Sequence, residues 1–250
     1  MTDRFLPAGR FAETDFRAGD VFNRTVSIFS RNLLPFGMVS AIAYLPSALA
    51  LSPDSKTAVL ASGNGGWIAV GFIATLVLNV LSQAIVLYGA FEDMRGLPVN
   101  LGESIKVGLR RFFPVLGVAI CVPLLAGLAA ILLVFPGLMV MTMLFVAVPA
   151  CVVERLGPFK SMGRSAWLTK GHRWKIFGLL FLIWLVSLMV GGAVGLTGAM
   201  VAGQYGLLGA QFIIQTVFGA FEAILVIVIY RDLRVAKEGI GTEQIAAVFD

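Results

Sequence analysis

Among the polar side chains that interrupt the apolar stretches of this 250-residue chain stand Asn79, Ser82, Gln83, Thr142, Ser187, Gln211, Gln215 and Glu222. Glu222 is the only charged one, and at eight residues before Tyr230 it lies about 12 Å deep at 1.5 Å per helical residue. A carboxyl at that depth is costly unless paired, protonated or wetted, so it marks a site. Gln215 and Glu222 are seven residues apart, on one helical face, and are placed to meet Gln83 or Asn79. Two chemistries fit this cluster: a relay for a proton or solute, or a neutral acid hydrogen-bonded to an amide that locks two helices together. A transport path ordinarily needs several such groups, which favours the lock.

The remaining chemistry is mostly exclusion. His172 is the sole histidine and lies between Gly171 and Arg173, so a His-rich zinc or haem site is not expected. No glycine-rich run ends in Lys-Ser or Lys-Thr, which removes a P-loop. Ser40, Ser82 and Ser187 have no histidine or lysine beside them to act as a base. The expectation is a protein that is not an enzyme and carries no cofactor and no metal.

The elements that position these groups follow from charge distribution. The chain is 58% hydrophobic and 13% charged, with a mean hydropathy of +0.92, which does not fit a water-soluble globule. Apolar stretches at 33–51, 67–91, 114–134, 138–153, 176–197 and 208–230 hold one charge between them, Glu222. Eighteen of the 19 Lys and Arg fall in four other segments, 1–32, 92–113, 154–175 and 231–250, leaving Lys56 alone on the opposite side. Positive residues stay cytoplasmic, so all four segments belong inside. The 40-residue run 114–153 lies between two of them and must therefore cross twice, with Phe135-Pro136-Gly137 as its turn. The expectation is an all-α polytopic bundle: a cytoplasmic segment 1–32, six transmembrane helices within 33–230 and a cytoplasmic tail 231–250. The first 32 residues mix five Arg with four acids, unlike a cleavable signal. Cys121 and Cys151 fall at similar depth and are expected to serve as small buried hydrophobes. The net charge of +5 is explained by topology and by anionic lipid, so a nucleic-acid partner is not expected.

The basic segments resemble one another. Gly19 to Gly37, Gly102 to Gly117 and Gly157 to Gly178 each run from a short polar start to an Arg-rich stretch leading into an apolar one, a possible threefold repeat of interfacial helix plus hairpin. Phe22, Val26, Phe29 and Leu33 form one helical stripe; Leu101, Ile105, Leu109 and Phe112 form another, packed against the bundle or lipid tails. Asn100 with Glu103, and Gly157 with Pro158, read as helix starts. Arg111, Arg164, Lys170 and Arg173 are the expected contacts with lipid head groups. Gly191 and Gly195 in the fifth span form a small-residue motif for close helix contact.

The stretch Val148-Pro149-Ala150-Cys151-Val152-Val153-Glu154-Arg155-Leu156-Gly157-Pro158-Phe159, continuing through Ser161, Arg164-Ser165, Trp167-Leu168-Thr169-Lys170-Gly171 and Arg173-Trp174, resembles the signature of YciC-like inner-membrane proteins. It is similar also to the membrane domain of some glycerophosphoryl diester phosphodiesterases, whose chemistry resides in a separate soluble barrel. Tyr230-Arg231-Asp232-Leu233-Arg234-Val235 and Lys237-Glu238-Gly239 look like the end of that group. The resemblance implies a six-helix protein of the bacterial inner membrane with no established activity. The expected function is that of a scaffold or accessory subunit whose partners are membrane lipids or another membrane protein. The alternative is a transporter of a small or lipid-derived solute built around Glu222.

Overall fold

The computed structural model describes residues 18–52, 54 and 66–238; Lys56 and the outer parts of both terminal segments lie outside the described residues. The described residues form helices with no strand, in the order α1 (Ala18–Arg31), α2 (Leu33–Ala50), α3 (Gly66–Met94), α4 (Leu101–Leu132), α5 (Val134–Leu144), α6 (Ala147–Val153), α7 (Pro158–Thr169) and α8 (Arg173–Glu238). Five segments are long and apolar enough to cross a membrane: Leu33–Ala50, Ala69–Met94, Leu101–Ile131, Val134–Val153 and Arg173–Glu238.

Three of the breaks between helices obey one rule. Pro35, Pro136 and Pro149 each occupy the third position of a new helix, after breaks at Asn32, Leu133 and Val146. A proline has no N–H for the carbonyl four residues earlier and its ring crowds that carbonyl, so the chain departs from helix just upstream of it. The hairpin in 114–153 therefore turns at Leu133, in extended backbone, and not at Phe135-Pro136-Gly137, which lies inside the first turns of α5. The expectation that no single helix runs from 114 to 153 holds. Gly137 seals the hairpin: a Cβ there would stand 2.6 Å from the Cβ of Ala130.

Helix α8 contains 66 residues, which as a straight rod would be about 99 Å, three times a hydrocarbon core. It is not straight. Ala202 and Gly203 leave helical geometry, Gly203 with φ +57, and divide α8 into limbs 173–201 and 204–238. The limbs fold back on each other. A Cβ on Gly198 would meet the carbonyl oxygen of Gly206, and one on Gly191 would touch Ile214, the pairing of an antiparallel hairpin. The tight contact thus belongs to Gly198 and Gly206, while Gly191 and Gly195 make ordinary van der Waals contact.

The buried core lies toward one end of the bundle. Its centre is the second limb of α8, where 223–230 is buried on every side, among α1, α2, α3, α6 and α7 through residues such as Ile28, Phe36, Leu87, Ala150 and Leu168. The expected stripes are displaced. In α1 the buried residues are Val21, Thr25 and Ile28; Val26 and, at the start of α2, Leu33 are exposed, while Phe22 and Phe29 meet the Phe221 ring. In α4 Ser104, Gly108 and Val115 are buried, and Ile105 and Leu109 point out. Small or polar side chains face the protein because they let helices approach closely, and lipid accepts the large apolar ones. The proposed repeat units also differ at their joints: α1 to α2 and α7 to α8 are broken, whereas residues 101–113 of α4 run on through Pro114 as one helix.

Candidate functional site

Three polar constellations emerge. The first is an ion-pair ring that joins the α6–α7 region to the end of α8. Glu154 follows α6, and both its carboxylate oxygens accept from Arg164 Nε, at 2.9 and 3.0 Å. Tyr230 donates its hydroxyl to Glu154 at 2.6 Å. Arg234 Nε lies 3.9 Å from Glu154 and 2.8 Å from Glu238, and Arg164 Nη2 closes the ring on Glu238. Burial disfavours the Arg164 charge, but hydrogen bonds and attraction from Glu154 and Glu238 outweigh it and hold its pKa above the ordinary value. Trp167 lies under both Arg164 and Lys237, 5.0 and 5.2 Å from ring centroid to cation.

Local sequence explains how α7 docks. Met143 lies in the last turn of α5, where carbonyls face the end of the helix, and Ser165 and Thr169 of α7 donate to its carbonyl at 2.8 and 3.2 Å. Gly157 and Pro158 start α7 as N-cap and first helical residue, and the Asn100 side chain caps α4 by accepting from Glu103 N–H at 3.3 Å. Cys151 is buried and its thiol lies 3.3 Å from the Leu156 carbonyl; both cysteines are free. Across the bundle, Arg24 pairs with Asp232 at 2.6 Å, and Arg31 and Asn32 hold Asp93 at 2.7 and 3.0 Å.

The second constellation is the intramembrane cluster. Glu222 and Gln83 line one cavity of about 280 Å³ between α3, α4, α5 and the second limb of α8. Its walls are otherwise apolar, among them Val118, Leu144 and Val226. Glu222 is exposed to this space although protein surrounds it, and its carboxyl makes no hydrogen bond among the described residues, so the expected amide lock is not formed. Pro123 and Ala119 also border the cavity, and Pro123 has no N–H to offer the Ala119 carbonyl. Asn79 is half-buried one helical turn before Gln83, and Gln215 is exposed; neither borders the cavity.

The third constellation was only partly foreseen. Arg95 after α3, Arg110 and Arg111 of α4 and Arg155 between α6 and α7 line a cavity of about 300 Å³ with Tyr88. Of the four residues expected at head groups, Arg111 belongs here. Arg164 is instead consumed by two carboxylates, with its side chain 22% exposed. Lys170 is exposed at the end of α7, and Arg173 is half-buried with Nε unpartnered among the described residues. Nothing local in sequence pairs Glu154 with residues 76 and 84 positions later. The one signal was that both stretches carry the resemblance, and they meet in this ring.

No protein-family model, curated protein or solved structure matches the chain. Among the described residues, no group of three or more His, Cys, Asp or Glu is placed to hold a metal ion.

Proposed function

We propose that the protein is a YciC-like, non-enzymatic protein of the bacterial inner membrane, a scaffold or accessory subunit whose cytoplasmic-side helices engage lipid. Six spans are counted by dividing α8 at Ala202-Gly203 and joining α5 with α6, which returns both termini to the cytoplasm under the positive-inside rule. The observation that carries the reading is the outward apolar ridge Ile105, Leu109 and Phe113, the last 79% exposed, on a helix whose protein-facing side holds Ser104 and Gly108. Such a ridge is stable against acyl chains and not against water.

A bimane label on Ile105→Cys, in a background lacking Cys121 and Cys151, tests it. Quenching by brominated lipid in vesicles is the expected result; quenching only by aqueous iodide overturns the interfacial assignment. Orientation is read separately from thiols at the exposed Lys106 and Lys160, which should react with impermeant reagent from the cytoplasmic side alone.

The cavity shared by Glu222 and Gln83 favours a second reading, passage of a small solute bearing a hydrogen-bond donor. Proton flux in proteoliposomes that disappears in Glu222→Gln with unchanged thermal stability would replace the scaffold reading with this one.

A further inference from the structure

We propose that the four-arginine cavity binds a phosphate group, presented by the head group of an anionic phospholipid. Three separate elements bring Arg95, Arg110, Arg111 and Arg155 to one wall-lined space of about 300 Å³. Guanidinium groups gathered in one space repel one another, and a bound anion offsets that repulsion; Arg95 also lies over the Phe91 ring at 6.0 Å. The nearby acids are few. Glu92 is buried and accepts from the Asn100 N–H at 3.4 Å, and Glu103 stands at the start of α4. Arg110 and Arg111 make no salt bridge among the described residues, so their guanidinium donors are available to a ligand. The guanidinium fork matches phosphate oxygens in pairs, and Tyr88 adds a phenol hydroxyl at the same site.

A second observation concerns backbone. Arg155 has φ +54, in the left-handed region that a long side chain disfavours, and it is the only non-glycine residue there among those described. A glycine would hold that turn without strain, yet the position carries an arginine that lines the cavity.

The source of the phosphate follows from what adjoins the cavity. Beside the arginines, Phe91, Val107, Val152 and Val153 supply an apolar wall of the same cavity. A charged cluster beside apolar wall suits an amphiphile: phosphate on the arginines, the start of an acyl chain against Phe91 and the valines. Choice of lipid over soluble phosphate rests on the reading of α4 as a helix set in lipid, proposed above from Ile105, Leu109 and Phe113 on its opposite face.

The test uses the full chain in uncharged detergent, titrated with phosphatidylglycerol, phosphatidylcholine, glycerol 3-phosphate and inorganic phosphate, with binding read by native mass spectrometry and thermal shift. Saturable binding of phosphatidylglycerol is expected, with Arg110→Gln/Arg111→Gln at least about tenfold weaker, the scale of one lost charge-assisted hydrogen bond. Arg155→Gly, which preserves the turn, should weaken binding similarly. Lys106→Gln/Lys160→Gln removes the same charge elsewhere and should change affinity by no more than about twofold. Should the double arginine variant fail to fold, the exposed single variant Arg110→Gln carries the test. Equal losses in the arginine and lysine pairs, or no saturable binding of any probe, overturn the site. Inorganic phosphate binding as tightly as phosphatidylglycerol overturns the lipid source while leaving the anion site. Bimane at Ile105 reports on the ridge independently, so failure of the interfacial reading and failure of the pocket are told apart.

Discussion

The two limbs of α8 are continuous in sequence and each carries a long apolar run, 176–197 and 208–230, yet these runs occupy opposite environments. In the first limb Phe181, Trp184, Leu188 and Met200 are exposed, and the rings of Trp174, Phe177, Phe181 and Trp184 stack along its outer face at centroid distances of 5.9 to 6.1 Å. In the second, Ile224, Leu225, Ile227, Val228 and Ile229 are buried all round. Hydropathy does not separate them because lipid is as apolar as a leucine core. Shape does. Ala220, Ala223 and a run rich in β-branched residues give the second limb a narrow, stiff surface that neighbours can approach from every side, whereas bulky rings and Leu suit a lipid-facing wall.

Truncation should expose that contrast most. Ile227→Ala opens a void at the centre and is expected to cost about 2 kcal/mol or more, while Leu188→Ala, on the 56% exposed side, should cost less than about 0.5 kcal/mol. Thermal unfolding in detergent measures both, and equal losses would erase the distinction between limbs. Next in size is Glu154→Ala, which deprives Arg164 and Tyr230 of their acceptor. We expect about 2 to 3 kcal/mol, less than for a fully buried pair because Arg164 keeps 22% exposure and Glu238. Tyr230→Phe removes one hydrogen bond from the same ring and should cost about 1 kcal/mol. A Glu154→Ala loss no larger than that of Tyr230→Phe would show the ring to be a surface pairing. The smallest effect is expected at Glu222. Since its carboxyl makes no hydrogen bond, both Glu222→Gln and Glu222→Ala should shift stability by less than about 0.5 kcal/mol. A larger loss in Glu222→Ala alone would restore the amide lock.

What could be read from sequence was local or global, and what could not was intermediate. Asn100 and Gly157-Pro158 announced helix starts because caps satisfy backbone groups within three residues. The apolar segments announced spanning helices because hydrocarbon thickness imposes length. Pro136 signalled a hairpin but misplaced its turn by a few residues, since proline disturbs the helix upstream of itself. The stripes were expected against the bundle or lipid tails, and periodicity alone does not choose between these: Phe22 meets the Phe221 ring at 6.0 Å, whereas Ile105 and Leu109 point out of the protein. Glu222 and Gln83 line one cavity without bonding, and a space between helices has no signature in either residue. The ring around Glu154 joins positions too distant in the chain for periodicity to connect.

The central position of residues 223–230 bears on how the protein is made. Synthesis runs from the N-terminus, so α1 to α7 emerge while the helix they surround is still untranslated. During that interval Glu154 and Arg164 have only each other, Arg24 and Phe36 face an unfilled axis, and the first limb of α8 enters the bilayer without its hairpin partner. The last limb then threads into a ring of helices already held by the Arg31–Asp93 pair and by the bonds of Ser165 and Thr169 to Met143. Biogenesis is in this sense keystone assembly: a nascent chain stalled before residue 204 leaves the largely apolar faces around Ile28, Phe36, Leu87, Ala150 and Leu168 without the helix they close upon.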